Sequence, residues 1–270
     1  MKVSLLGPRG TFSEEAALKF FKSPEMVYRG EIEDIFEDVL EGRADYGLVP
    51  IENSLEGSIG ITLDLLLKKD VKICGEVVID VKHSLMVLPG TALEDVREVI
   101  SHPHALAQCR GFIKKRALKT KNFPSTAGAA REIAEKKLRN TAAIAPERAA
   151  GLYGLEVLER DIQDEDFNQT RFLVIALKDG SPSGRDKTSI IFALRHEPGS
   201  LYEALKPFAS AMINLTKIES RPSRKALGDY VFYLDFEGHR SEKGVKKVLT
   251  ELKERVAFLK VLGSYPAAKG

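Results

Sequence analysis

Asn168-Gln169-Thr170-Arg171-Phe172 runs without a break into the apolar Leu173-Val174-Ile175-Ala176-Leu177. A polar head on an apolar run reads as the entrance to a buried β-strand, and open α/β sheets bind ligands at strand ends of this kind. A hydroxyl, a guanidinium and an aromatic ring together suit a small, anionic, hydroxyl-bearing molecule with a ring. Side chains alternate along a strand, so Thr170 and Arg171 point to opposite sides and Phe172 returns to the side of Thr170. Two readings of Arg171 stay open: it pairs a carboxylate through its planar fork, or it buttresses a loop. Phe172 packs either on a bound ring or in the core.

Outward from this strand the chain alternates. Val3 to Leu6 is a short buried strand, and Gly7-Pro8-Arg9-Gly10 turns it toward a helix. Thr11 and Glu14 have the spacing of a capping box, which starts that helix. Ile32, Ile35, Phe36, Val39 and Leu40 form the apolar stripe of an amphipathic helix. A strand over 46–51 follows, then strand and helix signals over 71–81, 83–88, 96–100, 105–115, 127–137 and 142–145. This order predicts an α/β architecture with mostly parallel strands. Residues 178–187, rich in Gly, Pro and Ser, read as a linker. Beyond them the order becomes strand 188–194, helix 201–212, strands 216–219 and 230–235, helix 242–255 and strand 256–262. That βαββαβ order is ferredoxin-like.

At 270 residues and 29.9 kDa the chain holds one large or two smaller domains. Lys plus Arg at 41 against Asp plus Glu at 39 leaves +2, with both signs interspersed. No basic stripe with interleaved aromatics is present, which argues against nucleic acid. No apolar run approaches the roughly 20 residues of a membrane helix. With the first strand at Val3 leaving no space for a leader, and only Cys74 and Cys109 as thiols, a cytoplasmic protein without a disulfide framework is expected. His102 and His104 lack a third ligand, so they read as surface or hydrogen-bonded histidines. No metal is expected.

Four separated motifs carry a resemblance over nearly the whole chain: Gly7-Pro8-Arg9-Gly10-Thr11-Phe12-Ser13-Glu14; Val49-Pro50-Ile51-Glu52-Asn53-Ser54 with Glu56-Gly57; Ser101-His102-Pro103 with Ala107-Gln108-Cys109; and Asn168 to Phe172. In this order they resemble prephenate dehydratase. The resemblance implies a catalytic region over 1–180 with the bilobal, periplasmic-binding-protein-like (type II) fold, one lobe from about 1–80 with 165–180 and the other from 81–164. It implies conversion of prephenate to phenylpyruvate, carbon dioxide and water in phenylalanine biosynthesis, with no cofactor because aromatisation drives the reaction. It also places Thr170, Asn53, Ser101 and Gln108 in catalysis, and Thr11, Ser13, Glu52, Arg171 and Phe172 around the substrate. The physical reading agrees at Thr170: a threonine hydroxyl does not titrate near neutrality, but it donates a hydrogen bond to charge developing on oxygen. Glu52 beside a dianion is repulsive unless protonated or turned away, which favours a supporting role. His104 stands where many relatives carry glutamine.

In the second domain, 185–270, Pro198-Gly199-Ser200-Leu201, Ile213-Asn214-Leu215-Thr216 and Glu219-Ser220-Arg221-Pro222 resemble the ACT regulatory domain of these dehydratases. The resemblance implies phenylalanine as effector, bound by Gly199, Ser200, Leu201, Asn214, Leu215, Glu219, Ser220 and Arg221. Paired ACT domains then imply a homodimer or homotetramer. Ser200 stands where alanine is commoner. An arogenate dehydratase, and a non-catalytic amino-acid-sensing protein of the same shape, are the alternatives.

Overall fold

Strands and helices alternate from the first residues: β1 (Lys2–Leu6), α1 (Phe12–Phe20), β2 (Glu25–Arg29), α2 (Ile32–Leu40), β3 (Tyr46–Asn53), β4 (Gly57–Ser58), α3 (Gly60–Lys68) and β5 (Lys72–Asp80). The computed structural model describes residues 1–223 and 230–268. A second run holds β6 (Ser84–Val87), β7 (Glu98–Ser101), α4 (Pro103–Gln108), α5 (Arg110–Lys115), β8 (Lys119–Asn122), α6 (Thr126–Lys136), β9 (Thr141–Ala145), α7 (Glu147–Tyr153) and β10 (Glu156–Glu159). After β11 (Gln169–Ala176) come β12 (Asp186–Ala193), α8 (Ser200–Ser210), β13 (Leu215–Pro222), β14 (Tyr230–Glu237), α9 (Lys243–Arg255) and β15 (Phe258–Pro266).

Three sheets result. The first has the order β2-β1-β3-β11-β5, with β4 pairing β3; the second has the order β10-β6-β9-β7-β8. Both are α/β, as the alternation predicts, and both are mixed: in the first, β1 runs parallel to β2 while β4 runs antiparallel to β3. In the second, β7 runs parallel to β8 and β9, while β6 runs antiparallel to β9 and β10. The third, β13-β14-β12-β15, closes the βαββαβ unit. Its helices α8 and α9 bury Phe192, Phe208, Phe236 and Leu252 against one sheet face. The chain divides into two compact units, 1–35 with 48–59 and 78–172, and 36–47 with 60–77 and 173–270.

Within the first unit the capping-box reading is half realised. Thr11 is the N-cap of α1 and its side chain accepts from the Glu14 N–H. Glu14 does not reach back to the Thr11 N–H. Its carboxylate takes the Gly10 N–H at 2.6 Å and the Arg148 guanidinium at 2.9 and 3.2 Å. A salt-bridge partner and a glycine amide outcompete the local cap. The helix expected over 105–115 is broken at Cys109, because the Asp164 carboxylate accepts the Gly111 N–H at 3.0 and 3.1 Å and starts a new helix there.

Within the second unit α3 is tied at both ends. Lys260 Nζ donates to the carbonyls of Leu66, Leu67 and Lys69 at 2.9, 3.2 and 2.7 Å, placing a cation at the negative end of the helix dipole. Near the other end Arg221 pairs with Asp64 at 3.3 Å, and the Tyr233 hydroxyl donates to Leu63 O at 2.8 Å. At Gly263 a Cβ would collide with the carbonyl oxygen of Ile73, so this position of β15 admits no side chain.

Replacing Arg148 by Met strips the buried Glu14 carboxylate of its charged partner. A hydrogen bond to a charged group is worth about 1.5–3 kcal/mol, discounted here because the arginine is partly exposed. Urea unfolding of Arg148→Met is expected to show a loss of about 1–2 kcal/mol with unchanged m-value. An unchanged midpoint removes the pair from the stabilising contacts.

Candidate active site

Asn53, the last residue of β3, fixes the hydrogen-bond direction of the whole site. Its Oδ1 accepts the backbone N–H groups of Leu55 and Glu56 at 2.9 and 3.0 Å, an Asx turn. An amide whose oxygen is so engaged presents its NH2 to the other side. Asn53 Nδ2 therefore donates, to Asn168 Oδ1 at 2.7 Å, Gln169 O at 3.1 Å and Thr170 Oγ1 at 2.9 Å. Asn168, its oxygen used, donates through Nδ2 to Gln108 Oε1 at 3.0 Å. Gln108 turns its own NH2 to Glu56 at 3.3 Å, and its oxygen lies 2.9 Å from His83 Nε2.

An amide oxygen only accepts, so His83 carries its proton on Nε2 and leaves Nδ1 bare. Nδ1 is buried and makes no hydrogen bond. Burial depresses the His83 pKa, and the weaker opposing effect of the Gln108 bond does not offset it. A neutral imidazole of this kind favours folding above the ordinary value of about 6.5. That contribution is lost as pH falls below it toward the depressed folded value, since the unfolded chain then binds a proton that the folded one refuses. The same logic applies to Thr170. Its oxygen accepts from Asn53, so its O–H proton remains to be donated elsewhere.

Thr170, Asn53, Gln108 and His83 line a cavity of about 610 Å³ within the first unit. Thr11, Phe12 and Ser13 at the start of α1 border it, as do Ser125 and Thr126 at the start of α6, and His102 and His104. Among the described residues of this lining there is no lysine or arginine, and Glu56 is the carboxylate. Helix starts supply positive potential instead, through aligned N–H dipoles. α6 suits that role: Ser125 caps it by accepting the Gly128 N–H at 3.0 Å, and its first turn holds no acidic residue. A Cβ at Gly128 would lie 2.5 Å from Ser125 Oγ, so glycine makes the cap possible. Among the described residues no group of three or more His, Cys, Asp or Glu is placed to hold a metal ion.

The structure sorts the residues singled out from sequence. Thr170, Asn53, Gln108, Thr11 and Ser13 meet at the cavity. Ser101 is fully buried, and its hydroxyl donates to Ile144 O at 2.5 Å inside its own sheet. Arg171 points away from Thr170 and pairs with Glu52 at 3.0 Å, the buttressing alternative. Phe172 is a core residue. In the βαββαβ unit Gly199, Ser200 and Leu201 line a separate cavity of about 260 Å³, together with Arg195, Tyr230 and Phe232. Asn214, Leu215, Glu219, Ser220 and Arg221 are not in that lining. Asn214 donates to Glu237 at 3.2 Å, and Glu219 lies between Lys217 and Arg221 at 3.2 and 3.9 Å.

Sequence reasoning missed His83 and Asn168 as members of the network, and the α6 start as a wall of the cavity. The Pro124-Ser125-Thr126 run before a helical pattern was a readable N-cap signal. Nothing local marks His83.

The family described as prephenate dehydratase (PDT) matches residues 3–180. A bifunctional chorismate mutase/prephenate dehydratase of Aquifex aeolicus (strain VF5) is 50% identical over 271 residues, covering 99% of this chain and 74% of that protein. A prephenate dehydratase of Methanocaldococcus jannaschii is 43% identical over 267 residues, 96% of each chain. The solved prephenate dehydratase of Arthrobacter aurescens, in complex with L-Phe, has a TM-score of 0.91 and 33% identity, covering 98% of this chain and 90% of that one. A structure described as GqqA, a quorum quenching acylase, also has a TM-score of 0.91, at 31% identity, covering 99% and 98%.

Nitrogen-15 NMR of histidine-labelled protein is expected to show His83 as the Nε2–H tautomer, titrating below the ordinary histidine value. An Nδ1–H tautomer breaks the chain of donors traced from Asn53.

Proposed function

We infer that this chain, which belongs to the prephenate dehydratase family, converts prephenate to phenylpyruvate, carbon dioxide and water. The observation that carries the reading is the Thr170 hydroxyl, held as an acceptor by Asn53 at 2.9 Å with its proton left for the cavity. Prephenate is a dianion with a diene ring and a hydroxyl opposite the quaternary carbon. Breaking the bond to the ring carboxylate releases carbon dioxide, and its electron pair becomes ring π density. The C–O bond breaks in turn and the hydroxyl leaves with its electrons. The dianion thus yields phenylpyruvate monoanion, carbon dioxide and hydroxide, which takes a solvent proton to become water.

Thr170 donates to the oxygen as negative charge grows there. A preorganised donor of this kind is typically worth about 2.7–4 kcal/mol. The neutral surroundings support the same chemistry. An arginine clamped on the departing carboxylate would stabilise the ground state more than the transition state and slow the loss of carbon dioxide. The carboxylates are met by the helix starts at Thr11–Ser13 and Ser125–Thr126.

Acyl transfer needs an activated nucleophile, and three candidates singled out from sequence are poorly suited to it: Thr170 Oγ1 accepts a hydrogen bond from the Asn53 amide, the Ser101 hydroxyl donates to a carbonyl, and burial pushes the Cys109 thiol up to about 12. Arogenate, with an amine in place of the keto oxygen, is a second reading. Glu56, the carboxylate at the cavity, is what favours it.

We read the βαββαβ unit as an ACT domain that binds phenylalanine at the cavity beside Gly199, Ser200 and Leu201. The start of α8 suits the effector's carboxylate, and the L-Phe complex of the Arthrobacter relative supports the choice of effector. Exposed Tyr202 and Tyr230 on the same cavity favour pairing of two such units, hence a homodimer or larger assembly. Feedback of this kind typically couples sites by about 1–3 kcal/mol.

Purified protein with prephenate is expected to form phenylpyruvate, followed as its enolate in alkali, and to respond to added phenylalanine. Thr170→Val is expected to lower kcat by roughly 10²–10³ with the circular dichroism spectrum intact, whereas Thr170→Ser keeps most activity. Wild-type turnover by Thr170→Val sinks the assignment. Asn53→Asp is the sharper test. Its second oxygen would capture the Thr170 proton, so a near-isosteric change is expected to cost about as much as deleting the hydroxyl. The ratio of kcat/KM for prephenate over arogenate decides between the two substrates.

A further inference from the structure

Two imidazoles at the cavity are left over by the network. His102 and His104 both border it, and both retain contact with solvent. Their rings stand edge to face, with centroids 4.9 Å apart and planes at 84°; His102 Nδ1 accepts the His104 backbone N–H at 3.3 Å. The other imidazole, His83, is fixed as a neutral donor by the amide chain.

The charges that face the pair are few. Glu56 faces it from the turn after β3, and His83 from the residue before β6. The start of α6 presents only the hydroxyls of Ser125 and Thr126, and Gln108 presents a neutral amide. With no lysine or arginine among the described lining residues, a net positive side chain can arise at His102 or His104 and nowhere else in it. Burial, and then the neighbouring His104, hold the His102 pKa below its ordinary value, with Glu56 opposing them. Two imidazolium rings this close would repel each other.

We propose that the His102–His104 pair takes up one proton together with the substrate and is the countercharge for the carboxylate that the product retains. The proposal rests on the dehydratase reading. A dianion entering beside Glu56 raises the negative potential at the pair, and binding and protonation then favour each other by linkage. The charge serves the retained carboxylate because a cation on the departing one would oppose the reaction. It therefore acts on substrate capture and leaves the chemical step alone. The pair is a specificity-determining site, which glutamine at position 104 would halve.

The test is steady-state kinetics with prephenate from pH 6.5 to 8.5, corrected for spontaneous breakdown. One-proton linkage lets KM rise by up to about tenfold per pH unit above the pair's titration, with kcat constant within about twofold. His104→Gln is expected to make the KM profile shallower. His102→Asn combined with His104→Gln keeps a side-chain acceptor for the backbone N–H of position 104, and is expected to give a high and pH-independent KM with kcat retained. A flat wild-type KM overturns the proposal, as does a slope surviving in the double variant. A kcat that moves with KM overturns the assignment to the retained carboxylate. Absence of any turnover in folded wild-type protein overturns the dehydratase reading itself, and the proposal with it.

Discussion

The site depends on two backbone N–H groups. Leu55 and Glu56, in the turn after β3, bind the Asn53 oxygen, and that contact sets the direction of every hydrogen bond downstream. Asparagine alone suits the position, because it accepts on one side and donates on the other at fixed separation. Through Asn168 and Gln108 the direction reaches His83 and decides its tautomer; through the bond to Thr170 it decides where a hydroxyl proton points. Backbone geometry thus sets the polarity of the Thr170 hydroxyl through the Asn53 amide. The amides of Asn53, Asn168 and Gln108 are each engaged on both sides, which holds the Thr170 hydroxyl in place, and rigidity is what a preorganised donor requires.

The electrostatics follow the same economy. The first turn of α1 contains Glu14 and Glu15, which oppose an anion at that helix start. Arg148 answers the first of these by pairing with Glu14 from the far side, so the arginine acts on the helix end without entering the cavity. α6 brings an uncompromised dipole. A dianion that must lose one of its carboxylates is better met by dipoles and neutral donors than by fixed cations. Such groups orient it while leaving the bond to carbon dioxide unclamped.

What the sequence could reveal tracks how local each signal is. The βαββαβ order, the amphipathic α2 and the Thr11 cap are set by residues within a turn or two of each other, and all were legible. Alternation along β11 separated Thr170 from Arg171 correctly, and Arg171 indeed meets Glu52 on the opposite side. The partner itself was illegible, since it lies 119 positions away. The edge strand β8, Lys119-Thr120-Lys121-Asn122, is exposed throughout and carries no hydrophobic pattern to detect. Ser101 shows the limit from the other direction. A serine at a strand end looks like a ligand donor until Ile144, on the neighbouring strand, supplies a carbonyl at hydrogen-bonding distance.

The effector-side motif illustrates how placement changes a residue's meaning. Glu219 to Arg221 lies on β13, and the structure turns Arg221 toward Asp64 on α3 instead of toward the cavity beside Gly199. Lys260 on β15 holds the carbonyl end of the same helix. One sheet therefore holds α3 through two cations, Arg221 on β13 and Lys260 on β15, so a motif that resembles a ligand contact is engaged within its own unit.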